Sequence, residues 1–127
     1  MIDHVSVPVG DLAAATAFYE RVLLPLGLVK LVTRERTVGF GKRYPEFWLN
    51  LREEIHRTID PGGHVCLRAP DEAAVRAFHA AALANGGLDH GSPGRRQAAM
   101  TCYFGAFVLD LDGNKLEAVT FPRTDDD

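Results

Sequence analysis

Only two cysteines occur in the 127 residues, Cys66 and Cys102, and they form no CxxC pair. A disulfide scaffold is therefore not expected, and the cytosol is the expected compartment. No apolar run approaches the ~20 residues that span a bilayer, so no membrane partner is expected. The opening residues MIDHVSV lack the basic stretch of a secretory signal. Positive charge is scarce too. The 14 Lys and Arg are outnumbered by 17 Asp and Glu, for a net charge of −3. No basic stripe with interleaved aromatics is present, which argues against nucleic acid as a partner. What remains is 46% hydrophobic and 24% charged, enough for one soluble domain with a core.

The chain does contain a repeat. Residues 4–28, HVSVPVGDLAAATAFYERVLLPLGL, align at a constant offset of 60 with residues 64–88, HVCLRAPDEAAVRAFHAAALANGGL, and ten of the 25 positions are identical. The His4/His64, Asp11/Asp71, Phe18/Phe78 and Gly27/Gly87 pairs carry most of the weight, because Ala is common throughout. A repeat of this length means two copies of one supersecondary unit.

Each copy reads as strand, helix, strands. Residues 2–9 alternate as a strand. Asp11 reads as the N-cap of a helix to about Leu24, with Leu12, Ala15, Phe18, Tyr19, Val22 and Leu23 on its apolar face. Pro25 and Gly27 end it. Residues 28–34, 37–41 and 46–52 are three short strands. In the second copy, 64–69 is a strand and Asp71 caps a helix to about Asn85, with Val75, Phe78 and Leu83 on its buried side. Residues 90–96 read as a Gly-, Pro- and Arg-rich loop. Strands follow at 101–109 and 115–121, joined by the DLDGN hairpin. The expected fold is α+β: two pseudo-symmetric βαβββ modules forming a curved, half-open mixed β-sheet barrel with flanking helices. One domain covers 1–127, with modules at about 1–58 and 62–122, a linker over 53–63 and a disordered tail at 123–127.

A cleft between two matched halves is a natural ligand site, and its side chains should come from matched positions. His4 and His64 open the first strand of each copy. Glu117 alternates with Leu116 and Ala118 on the last strand. Alignment of the last strands of the two copies sets Asn50 opposite Glu117. Two His and a carboxylate on a rigid sheet, with positions left open, suit a catalytic divalent metal such as Fe, Mn, Ni or Zn. A strand His can equally be a satisfied core residue, and a Glu after an Asp-Gly hairpin can be plain surface. The matched positions are what point toward a metal.

The stretches DHVSVPVGDLAAATAFYERVLLPLGL, GHVCLRAPDEAAVRAFHAAALANGG and FVLDLDGNKLEAV together resemble the vicinal oxygen chelate superfamily. That group includes glyoxalase I, the extradiol dioxygenases and the fosfomycin and bleomycin resistance proteins. The resemblance covers almost the whole chain and is nearest to short, single-domain, glyoxalase-like proteins. It implies paired βαβββ modules, a homodimer and a divalent metal, with His4, His64 and Glu117 at the ligand positions. Asn50 departs from glyoxalase I, which carries a carboxylate there as ligand and base. An amide takes no proton, so that isomerisation is not expected, and no general base is assigned.

Around those positions, Ser6, Trp48, Cys66, Thr101, Tyr103 and Phe107 are expected to line the pocket. The aromatic members suit a flat or apolar substrate part. Arg96, with Arg95 on the loop before the apolar strand, is a candidate contact for an anion, although a solvated pair of loop residues has the same signature. His56, His79 and His90 read as surface or helix residues. The expected function is a metal-dependent, Lewis-acid enzyme of lyase or isomerase type acting on a small oxygen-bearing molecule. The alternatives are a dimer that binds or sequesters a small molecule without chemistry, and an Fe(II) extradiol-type dioxygenase in which Tyr103 is the candidate acid/base.

Overall fold

The two helices begin in the same way. Asp11 sits in extended backbone and accepts a hydrogen bond from the Ala14 N–H at 3.0 Å; Asp71 accepts from the Ala74 N–H at 2.8 Å. Each satisfies an N–H that a helix start leaves without a partner. The computed structural model describes residues 1–55, 62–97 and 101–121. The expected tail at 123–127, most of the linker and His56 lie outside the described residues.

The first half runs β1 (Val5–Val9), α1 (Leu12–Leu23), a 3-10 turn (Leu24–Leu26), β2 (Val29–Thr33), β3 (Thr37–Gly41) and β4 (Phe47–Leu51). The second runs β5 (Val65–Arg68), α2 (Glu72–Ala84), β6 (Leu88–Gln97), β7 (Cys102–Leu109) and β8 (Lys115–Thr120). They form two mixed four-stranded sheets, ordered β1-β4-β3-β2 and β5-β8-β7-β6. In each sheet the first strand lies parallel to the last, and the remaining pairs are antiparallel. The fold is α+β, and the sheets close no barrel. Among the described residues no helix is long and apolar enough to cross a membrane.

Residues 90–96 correct the expectation of a loop: they belong to β6. Their Gly and Pro content is compatible with a strand because β6 is an edge, paired only with β7, and its register shifts between Asp89 and Gly91 and again between Gly91 and Gly94. Pro is tolerated on an edge, where its missing N–H breaks no ladder, and bulges absorb the glycines. The strand completes the second module as a true βαβββ unit.

Alternate strand residues and one face of each helix form a shared core. Helix α1 buries Ala15, Phe18, Tyr19, Val22 and Leu23, while α2 buries Ala74, Val75, Phe78 and Ala82. Leu83, expected inside, is 44% exposed; Val75, Phe78 and Ala82 already set the buried stripe at helical spacing, and Leu83 falls beside it. Gly87 follows α2 at a point of close approach. A Cβ there would meet the Leu109 and Ala82 carbonyl oxygens at 2.8 and 2.9 Å.

The helices pack on each other, and the DLDGN hairpin ties the halves together. The Asp110 carboxylate is buried and accepts four hydrogen bonds: from Tyr19 Oη of α1 at 2.5 Å, from the Asp112 and Asn114 N–H groups at 2.9 and 2.8 Å, and from Asn114 Nδ2 at 2.8 Å. Asp112 Oδ1 accepts from the Gly10 N–H at 3.0 Å, and Asn114 Nδ2 donates to the Pro8 carbonyl at 2.9 Å. Burial lifts the Asp110 carboxyl above its ordinary pKa against the pull of these donors. Burial first, and then the neighbouring Asp110 charge, lifts the Tyr19 phenol.

Two predictions follow from this clasp. Tyr19→Phe should cost about 2 kcal/mol in urea unfolding, since it strips one donor from a buried carboxylate, against about 1 kcal/mol for removal of the helix cap in Asp71→Ala. The second concerns pH. The native carboxyl binds its proton more tightly than the unfolded one, so its contribution to stability falls as pH rises from near 3.8 through the raised native value. Asp110→Asn should lack that decline when unfolding free energy is plotted against pH.

Candidate functional site

Strand β8 turns Leu116, Ala118 and Thr120 to the core, and the opposite pleat carries Lys115, Glu117 and Val119. In register, Glu117 lies between Cys66 of β5 and Phe107 of β7. This face is well covered at its centre: the Glu117 side chain is 8% exposed, and that of His64 35%. Glu117 Oε1 lies 3.1 Å from His64 Nε2, which donates in the matching tautomer. The His64 ring meets Phe107 edge-on, with centroids 5.6 Å apart. The Cys66 thiol and the Tyr103 hydroxyl lie close enough to Glu117 for its charge to act on both. One carboxylate is thus the common neighbour of an imidazole, a thiol and a phenol.

That arrangement sets the local chemistry. Cys66 is exposed as a residue, yet partial burial followed by the carboxylate charge pushes the thiol up to about 12. Burial, and then Glu117, raises the Tyr103 phenol as well. Thr101 is exposed just before β7 begins. Arg96 faces Tyr103 across the β6–β7 ladder, with its guanidinium 5.4 Å from the Phe107 ring centroid. Expected on a loop, Arg96 instead stands on a strand and is held there by backbone carbonyls. Lys115 Nζ lies 4.9 Å from the same ring.

The first module has its own concave face. Ser6 pairs with Trp48 across β1–β4, and Pro8 pairs with Asn50. Asn50 Nδ2 donates to Ser6 Oγ. His4 Nδ1 lies 2.7 Å from Asp3 Oδ1, and both side chains are exposed, at 53% and 76%. Asp3, His4, Ser6, Trp48 and Asn50, with Arg34, Thr37, Tyr44 and Pro45, line an open concavity of about 480 Å³. The Arg34 guanidinium lies 5.3 Å from the Trp48 ring centroid.

The two registers correct one expected equivalence. Ser6 pairs with Trp48 where Cys66 pairs with Glu117, and Pro8 pairs with Asn50 where Arg68 pairs with Val119. Trp48, rather than Asn50, holds the position that matches Glu117, and indole offers no lone pair to a metal. Asn50 sits two residues further along the same face.

His64 and Glu117 are brought together, while His4 stands on the other sheet beside Asp3. Among the described residues, no group of three His, Cys, Asp or Glu side chains gathers as a metal cage within the chain. The donor types fit a divalent ion: an imidazole and a carboxylate converge on one spot, and a second imidazole waits at the matched position of the other module. Arg34 and Lys115 were not among the expected site residues. Lys115 was legible, two residues before Glu117 on one pleat. Arg34 lies just past the end of β2, where no periodicity applies.

Iodoacetamide provides a check on the Glu117 cluster. In protein dialysed against chelator, alkylation of Cys66, followed by peptide mapping, should rise about tenfold per pH unit with no plateau up to about pH 10. A plateau near neutral pH would contradict a thiol held up by desolvation and the Glu117 charge.

The sequence signature of the Glyoxalase/Bleomycin resistance protein/Dioxygenase superfamily matches residues 1–118. A glyoxalase/bleomycin resistance protein from Albidiferax ferrireducens is 32% identical, with a TM-score of 0.80 over 94% of this chain and 98% of that one. A glyoxalase/bleomycin resistance protein/dioxygenase family enzyme from Burkholderia phytofirmans shares 16% identity at a TM-score of 0.74, with the same coverage. A glyoxalase-related enzyme from Fulvimarina pelagi shares 17% at 0.69, over 94% of this chain and 86% of that one. At 16% and 17% the likeness is one of fold alone. No curated protein matches the chain. With paired βαβββ modules, a matching signature over nearly the full length and a near-complete relative at 32% identity, the chain belongs to the glyoxalase/bleomycin resistance protein/dioxygenase superfamily.

Proposed function

We propose that the protein is a divalent-metal-dependent enzyme, of lyase or isomerase type, that acts as a homodimer on a small oxygen-bearing substrate. Proteins of this superfamily usually hold a divalent metal. His64 and Glu117 of one copy and His4 of a second copy would hold it. The observation that carries this reading is the 3.1 Å approach of His64 to Glu117 on one sheet, with His4 at the matched position of the other. The concave pleats are open in the single chain: His4, Ser6, His64, Cys66 and Arg68 are all exposed. A second copy laid across them would cover both faces and complete the ligand set.

The metal, when bound, would act as a Lewis acid toward a substrate oxygen. The chain's own side chains do the rest. Tyr103 and Cys66, beside Glu117, can donate to the carboxylate and steady its orientation. Trp48 and Phe107 offer aromatic walls to the substrate body. Asn50 and Ser6 can orient a substrate oxygen or a water, while Trp48, at the position matched to Glu117, takes no proton, so a glyoxalase I proton transfer from that position is disfavoured. The second reading is a dimer that holds a compound unchanged, favoured by the aromatic lining on both faces.

Elemental analysis of protein purified without chelator or affinity nickel tests the proposal. Near-stoichiometric metal is expected in the wild type, with loss in His4→Ala and Glu117→Ala. Doubly tagged mixed dimers of those two variants should regain about one metal per dimer, since one of their two shared sites is intact. Recovery of none would sink the shared site. A metal-free wild type with no thermal shift for any divalent ion would leave the binding reading in the lead. Stoichiometric iron with oxygen uptake would instead favour the dioxygenase.

A further inference from the structure

In each module an arginine near the end of the second strand lies over an aromatic ring. In the first module it is Arg34 on Trp48, at 5.3 Å; in the second it is Arg96 on Phe107, at 5.4 Å. Neither guanidinium has a carboxylate partner among the described residues. Asp3, which lines the Arg34 concavity, bonds to His4. Glu117 is already paired with His64, with Cys66 and Tyr103 beside it.

Arg96 is immobilised without being neutralised. Its Nη1 donates to the Gly94 carbonyl at 3.1 Å and to the Gly105 carbonyl, and its Nη2 donates to the Ser92 carbonyl at 2.8 Å. Those carbonyls take three of its five N–H hydrogens and carry no charge. Two donors and a full positive charge remain. Arg34 is exposed, stacked on an indole, and shares its concavity with the Ser6 hydroxyl, the Thr37 hydroxyl and the Asn50 amide.

We infer that the substrate is a small organic carboxylate with a flat or apolar body, and that Arg34 and Arg96 are its counter-ions, one from each module. A guanidinium fork matches a carboxylate in two-point geometry. A ring beneath each guanidinium holds the cation in place and gives the ligand's body a surface to lie on. The inference rests on the two-copy cleft proposed above, which brings both arginines to one ligand.

Trp48 is the single tryptophan of the chain, so its fluorescence reports on this face directly. Benzoate is the probe, and benzamide is its neutral counterpart of the same shape. Titrations are run on the full-length protein with and without chelator, with metal content and melting temperature read on the same samples. Saturable quenching by benzoate is expected, at least about tenfold tighter than by benzamide and weakened by salt. Arg34→Gln and Arg96→Gln should each raise the benzoate Kd about tenfold or more. Because Arg96 also ties three carbonyls, Arg96→Lys is the companion variant: it keeps the charge, loses the fork, and should bind between wild type and Arg96→Gln.

Equal binding of benzamide, absence of saturable benzoate binding, or an unchanged Kd in either glutamine variant of native melting temperature would overturn the inference. Benzoate binding that persists in a wild type devoid of metal would support the anion site while the metal reading fails. Full metal content without benzoate binding would do the reverse.

Discussion

A single buried carboxylate holds the two halves of the molecule in register. Asp110 closes its own hairpin through the Asp112 and Asn114 N–H groups and reaches across to the Tyr19 phenol of the other half. The same hairpin grips the end of β1 at Gly10 and Pro8. Everything on the concave side follows from that clasp. Each helix covers one face of its own sheet, the helices pack together, and the remaining sheet faces are left open to carry polar and aromatic groups. Removal of the carboxylate would leave a buried hydroxyl and two backbone donors without an acceptor, a larger loss than any one surface ion pair represents.

Glu117 shows the same logic put to another use. It is nearly as buried as Asp110, yet its neighbours are side chains with chemistry of their own: His64, Cys66 and Tyr103. Asp110 is saturated by fixed backbone groups and a phenol deep in the core. Glu117 is surrounded by groups that can turn or exchange partners at an open face. A carboxylate held in that way can be recruited by a cation without the sheet being rebuilt. The difference between a structural acid and a site acid here lies in their partners more than in their burial.

Much of this was legible from the residues. The offset of 60 located both modules, Asp11 and Asp71 announced both helices, and alternation around Glu117 placed it off the core pleat. What escaped was long-range. Strand β6 was hidden because Gly91, Pro93 and Gly94 read as loop residues, and only its place at a sheet edge makes them tolerable. The pairing of Asn50 with Glu117 failed by one pleat repeat, since register depends on the partner strand, which local sequence does not contain. His4 and His64 do occupy matched positions, but matched positions in a repeat need not be neighbours. Leu83 and Ala82 differ by one step around a helix, and the smaller residue took the interior.

Position 19 and its counterpart 79 show what the duplication has become. Tyr19 bonds outward, to an aspartate of the opposite half, while His79 bonds within its own half, to Asp89 of β6 at 2.8 Å. The second unit is therefore self-contained at this position and the first is not. A liberated first unit would carry a phenol in its interior with nothing to receive its hydrogen; a liberated second unit would keep its imidazole satisfied. The copies have stopped being interchangeable parts: the pseudo-symmetry survives in the backbone, while the bond at position 19 ties the buried phenol of one half to the buried carboxylate of the other.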